Sequence, residues 1–418
     1  MLELTIDRPA QGGRMIARDP SGGAAGAGAL VLVSGAIPGE RVRARVTERR
    51  HGVAFAETVD VLEASPDRRE PPFDPLCGGN LFAHVAYARQ LELKREMLAD
   101  AFRRQARVEL AVPPPIVGSP ETGYRMRARL HATGGRLGFY RERTRDVCDA
   151  ARTGQLSPAA AGIIDGVAAA LAPVSDAIQE VVLAENTAAD MRVLHVVLRG
   201  AATPESLEPL ARVDGVDGVT ASEIAGTVIP IDGVMALTER MPGGGLVERR
   251  AASFFQANRF LLVALVTKVV DAAGEGAIAD LFAGVGVFAV EAASRGRRVV
   301  AVESDRVAAG DLRSNLDVYG AAADAVEQPV ETFLRSRGHG DEFGAMILDP
   351  PRAGLSADTR AALIELLPKR MVYVSCDPVT LARDVKEFIT AGYRLAHLEA
   401  LDLFPNTPHV ESIAVLEV

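Results

Sequence analysis

Cysteine is scarce in this chain. Cys77, Cys148 and Cys376 are scattered over 418 residues. Three such residues cannot build a disulfide framework, and a reducing, cytoplasmic setting is expected. Long apolar runs are missing as well: none is long and uninterrupted enough to span a bilayer. The first residues, Met1-Leu2-Glu3-Leu4-Thr5, have no basic n-region and no apolar core, so no signal peptide is expected. Positive charge is in deficit. Lys+Arg number 46 against 55 Asp+Glu, a net −9, which alone argues against nucleic acid. No internal repeat is found.

The charge is unevenly spread, however. Residues 1–150 carry 23 Lys+Arg and 19 Asp+Glu, a net +4, and the remainder carries −13. Between Arg125 and Arg145 stand seven arginines and one acid, Glu142. Local field, more than total charge, governs contact with phosphates. Hydrophobic residues at 48% and charged residues at 24% are those of a globular protein. The length is too great for one ordinary core, so two or three domains are expected.

Residues 1–62 read as short strands separated by Gly12-Gly13, Gly22-Gly23 and Pro38-Gly39 turns, the pattern of a small β-barrel. Arg41, Arg43 and Arg45 alternate with apolar residues, which puts the three on one strand face. That face is either solvated or an RNA contact. Pro66 to Pro75 mark a linker, and Tyr87 to Arg107 has helical spacing. Arg125, Arg127 and Arg129 alternate again, and the strand can pair with Leu137–Tyr140 across Gly134-Gly135. This is the best candidate for a nucleic-acid-facing hairpin. Met241-Pro242-Gly243-Gly244-Gly245 reads as a flexible boundary. From Ser253 onward strands and helices alternate, which predicts a mainly parallel sheet covered on both faces. Ser253 to Val270 is predicted as the first helix, with Ser253 as its N-cap.

Three segments of this last region can carry chemistry. Asp280-Leu281-Phe282-Ala283-Gly284-Val285-Gly286 follows a predicted strand and opens a helix. Its glycines allow close backbone approach to a ligand. Glu303 ends the next strand, where an acid can take ribose hydroxyls. Asp349-Pro350-Pro351-Arg352 follows another strand, and its prolines make a stiff lip able to hold a base flipped from its stack. Cys376 stands where the run Val372-Tyr373-Val374-Ser375 stops and Pro378 begins, at the ligand-binding end of such a sheet. Buried cysteines are commonly inert packing; this placement favours a nucleophile instead. A helix starting near Val379 is expected to lower the thiol pKa. Gln256 fits a capping box with Ser253, or a ligand contact. Glu411, taken alone, is an ordinary strand acid.

Taken together, these segments resemble the RNA 5-methyluridine methyltransferases, which use S-adenosylmethionine. Phe254-Phe255-Gln256-Ala257-Asn258, the 280–286 loop, Asp349-Pro350-Pro351-Arg352, Ser375-Cys376-Asp377-Pro378 and Phe404-Pro405 through Val410-Glu411 occur in that family's order. Residues 1–62 resemble its TRAM domain. The resemblance implies an amino-terminal OB-like barrel (1–62), a central RNA-binding α+β domain (63–250) and a Rossmann-like class I methyltransferase domain (251–418). It makes Cys376 the nucleophile that adds to C6 of uracil and Glu411 the base that takes the C5 proton. Gln256, Phe282, Gly284, Gly286, Val287, Glu303 and Asp349 become cofactor contacts. Arg41, Arg43, Arg45, Arg125, Arg127 and Arg129 become RNA contacts.

Many relatives hold an iron–sulfur cluster on four cysteines around a Cys-Gly-Gly-Cys core. Here Cys77-Gly78-Gly79-Asn80 keeps one of that pair, Pro71 stands upstream, and the downstream place falls near Thr153. One thiolate cannot hold such a cluster, so none is expected, nor any other metal, and Cys77 reads as vestigial. Asp377 replaces a usual Asn, and its charge is expected to raise the pKa of Cys376. The barrel favours 23S ribosomal RNA over transfer RNA by analogy, and a monomer is expected. A non-catalytic RNA-binding protein would be expected to have lost Cys376 and Glu411. An adenine amino-methyltransferase would leave both idle. A dehydrogenase would want the third glycine that the 280–286 loop lacks.

Overall fold

The computed structural model describes residues 1–19, 28–142, 144–199, 203–224, 226–337 and 343–418. The Gly22-Gly23 turn and Arg143 lie outside the described residues.

Five strands close the amino-terminal barrel: β1 (Leu2–Pro9), β2 (Met15–Asp19), β3 (Ala29–Ser34), β4 (Arg41–Arg50) and β5 (Val53–Glu63), in the order β1-β2-β3-β5-β4. Strand β4 returns to pair with β1, Leu4 opposite Val42, so no edge is left open. Alternation sends Leu4, Ile6, Val31, Val33, Val42 and Ala44 into the barrel core. The linker then leads into helix α1 (Tyr87–Ala101), which one π-helical turn extends to Ala106 before Arg107 turns left-handed.

Next come β6 (Ile116–Val117), β7 (Arg127–Thr133), β8 (Arg136–Tyr140), β9 (Val147–Asp149), α2 (Pro158–Gly162), α3 (Ile164–Leu171), β10 (Ile178–Glu185), β11 (Arg192–Leu198), α4 (Glu208–Ala211), β12 (Gly218–Glu223) and β13 (Ile229–Gly233). Seven of these strands form a sheet in the order β13-β12-β11-β10-β7-β8-β9. Its inner face (Ala128, Leu130, Val181, Leu183, Leu194, Val196) packs on α3 through Ile164, Val167 and Leu171. Pro158–Ala177 has the length and composition of a membrane span. Here it is broken into α2, α3 and a 3-10 turn, and it carries Asp165 and Asp176.

Two expectations for this region are corrected. Cys77 and Cys148 are joined by a disulfide, with Cα atoms 5.9 Å apart across 71 residues of chain. The β8–β9 pairing sets Cys148 opposite Phe139, and Cys77 bridges to Arg141 two residues on. Sequence separation hides that meeting, so Cys77 is neither alone nor vestigial. Residues 241–245 are not a flexible boundary. They are the turn between β14 (Ala236–Arg240) and β15 (Leu246–Arg250), with Arg240 opposite Leu246.

The third domain contains α5 (Leu262–Ala272), β16 (Ala277–Leu281), α6 (Val287–Ser294), β17 (Val299–Glu303), α7 (Arg306–Asp317), β18 (Ala323–Glu327), α8 (Val330–Arg335), β19 (Phe343–Leu348), α9 (Ala357–Leu366), β20 (Arg370–Ser375), α10 (Pro378–Thr390), β21 (Arg394–Leu401) and β22 (Glu411–Glu417). The sheet order is β18-β17-β16-β19-β20-β22-β21-β6. Strands β16 to β20 are mutually parallel, and β22 runs antiparallel to β20. Both faces are covered, which is why the strands are continuous apolar runs. This is the Rossmann-like arrangement expected for the region.

The first helix starts later than its periodicity suggested, at Leu262 rather than Ser253. The Ser253 hydroxyl donates to Asp311 at 2.5 Å instead of capping. Asn258 does the turning: its Oδ1 accepts from the Phe260 and Leu261 amides at 3.0 and 3.1 Å.

Candidate active site

The parallel strands end together, and their carboxyl ends carry the reactive groups. Asp280 lies in β16, Glu303 ends β17, Asp349 follows β19 and Cys376 follows β20. Glu411 starts β22. Because β22 is antiparallel to β20, its beginning lies beside the end of β20, with Ser375 opposite Ser412. Cys376 follows Ser375 and Glu411 precedes Ser412, so both stand at this end of the ladder.

The glycine loop is shaped for a ligand. Phe282 has a left-handed backbone (φ 64°), an uncommon state for a side chain of its size. Gly286 is also left-handed (φ 93°), and a Cβ there would lie 2.6 Å from Leu312. Only glycine fits at that point. Val287, the first residue of α6, is buried beneath the loop. The Glu303 carboxylate closes the site. It accepts from Gly284 at 2.8 Å and from Ser304 and Asp305 at 2.6 and 2.7 Å. A carboxylate offers about four lone-pair positions, so one remains for a ribose hydroxyl. With the capping box absent, Gln256 is free to reach inward, and its Nε2 donates to Asp349 at 3.3 Å.

The pocket gathers acids. Burial, with Asp349 and Glu303 nearby, holds the Asp280 carboxyl well above the usual range. Burial pushes Asp349 up to about 7. Burial and Asp349 raise Glu411 far above its ordinary value, against an opposing pull from Arg352. Clustered carboxyls of this kind suit a cationic ligand, which would supply the missing counter-charge.

The thiol departs from expectation. Burial first, and then the Glu411 charge, push Cys376 up to about 11, and Arg352 draws it down. The start of α10 does not prevail over desolvation. The groups that raise it are burial, Glu411 and Asp349, and Asp377 serves as the N-cap of α10, its Oδ1 accepting from Val379 and Thr380 at 2.9 and 3.0 Å.

The arginines read as RNA contacts sit in three ways. Arg41, Arg43 and Arg45 are ion-paired to Glu63, Asp60 and Glu57 of the adjacent strand. Such exposed pairs are worth only about 0–1 kcal/mol, so phosphates can displace them. Arg129 is exposed and paired to Glu180 at 2.7 Å. Arg125 and Arg127 turn inward. Arg125 donates to Gln155 at 2.7 Å and lies over Phe139 and Phe404. Arg127 donates to the Ser253 carbonyl at 3.1 Å and lies over Phe254. The basic alternation of β7 therefore bears partly on the protein itself.

Sequence reasoning assigned no role to Arg352 or His409, which face this pocket, nor to Lys94. Lys94 and Asp402 form a fully buried pair at 2.5 Å, and the lysine also donates to the Phe404 carbonyl at 3.1 Å. Together with Gln90, which binds Asn406, it pins the loop that leads to Glu411. Polar residues in the otherwise apolar stripe of α1 were the available signal.

The chain is similar to known proteins over most of its length. The family profile described as tRNA (Uracil-5-)-methyltransferase matches residues 246–418, and the TRAM domain matches residues 1–59. A 23S rRNA (uracil(1939)-C(5))-methyltransferase of Bordetella parapertussis is 32% identical over 93% of this chain and 89% of its own length. The protein of the same description from Alkalilimnicola ehrlichii is 34% identical over 93% and 91%. Among solved structures, the Pyrococcus abyssi tRNA (uracil-54, C5)-methyltransferase in complex with S-adenosyl-L-homocysteine superposes with a TM-score of 0.78. It is 25% identical and covers 99% of both chains.

Proposed function

The chain belongs to the family of S-adenosylmethionine-dependent RNA (uracil-C5-)methyltransferases, and from that premise we propose that it methylates a uridine of 23S ribosomal RNA through a covalent Cys376 adduct. The observation that supports the mechanism is the Ser375–Ser412 pairing of antiparallel β20 and β22, with Cys376 next after the one and Glu411 next before the other.

C5 of uracil is a weak nucleophile. The Cys376 thiolate forms a bond to C6, and the C5=C6 electron pair becomes an enolate rich at C5. S-adenosylmethionine, when bound, would supply the methyl group that C5 takes, its S–CH3 bond breaking to leave the neutral thioether S-adenosylhomocysteine. Glu411 then accepts the C5 proton, the C5=C6 bond re-forms and the sulfur leaves as thiolate. Division into two easier steps is the gain from covalent catalysis, and a positioned base adds roughly 10²–10⁴-fold. Gln256 and Asp349 would orient the methyl donor, Glu303 would hold its ribose, and the buried carboxylates would complement its sulfonium. The Asp349-Pro350-Pro351 lip holds the flipped base. The exposed arginines of the barrel and of β7 hold the RNA backbone.

Ribosomal RNA is favoured over transfer RNA because the relatives sharing 32–34% identity over most of the chain act there. We take the reaction to be cytoplasmic from the ribosomal substrate in the names of its relatives and not from the cysteines, two of which are bonded, and we take the enzyme as a monomer. Mass spectrometry of ribosomal and transfer RNA from a deletion strain tests the substrate: one methyl is lost from a 23S uridine. Loss from transfer RNA instead would overturn the choice. Cys376→Ala abolishes both turnover and the RNA adduct; full turnover in that variant would falsify the mechanism.

A further inference from the structure

The β7–β8 hairpin has two unlike faces. Leu130, Leu137 and Phe139 enter the core that packs on α3. Alternation puts Arg129, His131, Arg136 and Tyr140 on the opposite face. His131 pairs with Gly138, so Tyr140, two residues on, is its diagonal neighbour. The two rings lie parallel, their centroids 3.8 Å apart and their planes 10° from each other. His131 is half-buried and Tyr140 is 38% exposed, so the tyrosine offers the outer ring face. We propose that this stack, with Arg129 and Arg136 on the same hairpin face, binds an unpaired base of the RNA near the target uridine. The site deepens the reading of the chain as an RNA methyltransferase and rests on it.

A base laid on an exposed ring takes apolar area of both out of water. Stacking accepts any base, because every base has a π-face. It requires a base that is not already paired and stacked in a duplex, which selects single-stranded or remodelled RNA. The surrounding charge suits the phosphates on either side of such a base. Arg129 keeps 66% of its side chain open while Glu180 holds it at 2.7 Å, an ion pair that a phosphate can displace. Arg136 stands opposite Thr133 and is exposed, and among the described residues no acceptor holds its guanidinium. The stack also lies on the path to the candidate pocket. Arg127, at the start of β7, donates to the Ser253 carbonyl at 3.1 Å, in the segment that carries Gln256. His131 follows on the same face about 13 Å further along the strand. That distance suits a base a few nucleotides from the one held in the pocket.

The chain has no tryptophan, so Tyr140→Trp gives the full-length protein a single indole at the stack. Titration with a short single-stranded oligoadenylate is expected to quench its emission as a base stacks on the ring. The same strand annealed to oligouridylate is expected to leave it unquenched. Emission that stays constant while the anisotropy of a labelled oligoadenylate shows saturated binding overturns the proposal. Tyr140→Leu is expected to weaken binding of the single strand by about five- to a hundredfold, the span of one base–aromatic stack. The slope of log affinity against log salt stays the same, and KM for 23S RNA rises more than kcat falls. Tyr140→Phe, which keeps the ring, binds as wild type does. Arg136→Gln lowers the salt slope by about 0.7, the share of one phosphate on a single strand. Single-strand affinity of Tyr140→Leu within about twofold of wild type overturns the base site, and so does an equal loss for strand and duplex. Should Tyr140→Leu fail to fold, the Tyr140→Trp emission decides it. Failure of the methyltransferase reading is separate: the deletion strain then keeps every uridine methyl, whatever the emission does.

Discussion

Ser375 and Ser412 pair across β20 and β22, and Cys376 follows the one while Glu411 precedes the other, so both stand at the same end of the two strands. The proposed nucleophile and base thus come from adjoining strands of one sheet.

That relationship makes Glu411→Gln informative twice. With the base removed, the methylated adduct cannot eliminate, and it accumulates as a slower band on denaturing gels. The variant should also change the pH dependence of stability. The folded carboxyl has a raised pKa, so its full stability holds below the unfolded value of about 4.3 and is lost as pH rises through the folded value. Thermal melts should show Glu411→Gln gaining on wild type as pH rises. A constant gap between the two would show that Glu411 is not buried as a strained acid.

Asp349 is pushed up to about 7 by burial, so as the proposed cofactor contact it should couple cofactor binding to protons. Binding a sulfonium favours the ionised carboxylate, so affinity falls as pH drops below that value and levels off above it. Calorimetry in two buffers of different ionisation enthalpy should detect proton release near neutrality. Asp280, Glu303 and Glu411 share the field, so Asp349→Asn is needed to assign the effect; it should remove most of the release. Unchanged release in the variant would move the coupling to another acid.

The barrel touches the catalytic loop. A Cβ on Gly13 (φ 84°) would lie 2.8 Å from Pro408, the residue before His409. Gly12 has a similar φ of 80° but open space around it. Gly12→Ala should lose only the backbone term, about 1–2 kcal/mol. Gly13→Ala should lose more, and should lower kcat by displacing the loop. Equal melts and equal kcat for the two variants would mean that the contact carries nothing.

Lys94 and Asp402 are both fully buried. Lys94→Met leaves an unpaired carboxylate and should cost about 3–5 kcal/mol. Adding Asp402→Leu should recover a large part, because the desolvation cost leaves with the charge. Chemical denaturation measures both, and a loss below about 1 kcal/mol in the single variant would count against a dry pair.

Much of the site was readable from residue order. The glycine loop, Glu303, Asp349 and Cys376 each follow an apolar run, and such runs end at one edge of a parallel sheet. The start of α5 was not readable, because the apolar residues of 254–261 have helical spacing while Ser253 and Asn258 make tertiary and turn hydrogen bonds. The arginines of β7 show the same limit. Alternation assigned them to one face and could not say that Arg127 would lie over Phe254. The thiol pKa was misjudged because a helix start is visible in sequence and burial is not.

Local chemistry along the chain decided which side chains are candidates for nucleophile, acid and glycine hinge, because strand ends, turns and caps depend on neighbours in sequence. Only the folded chain decided what those groups meet. The Cys77–Cys148 bond, the Lys94–Asp402 pair and the aim of His409 toward Arg352 join residues 57 to 308 positions apart. Their energies come from burial and register, which exist only once the layers have packed.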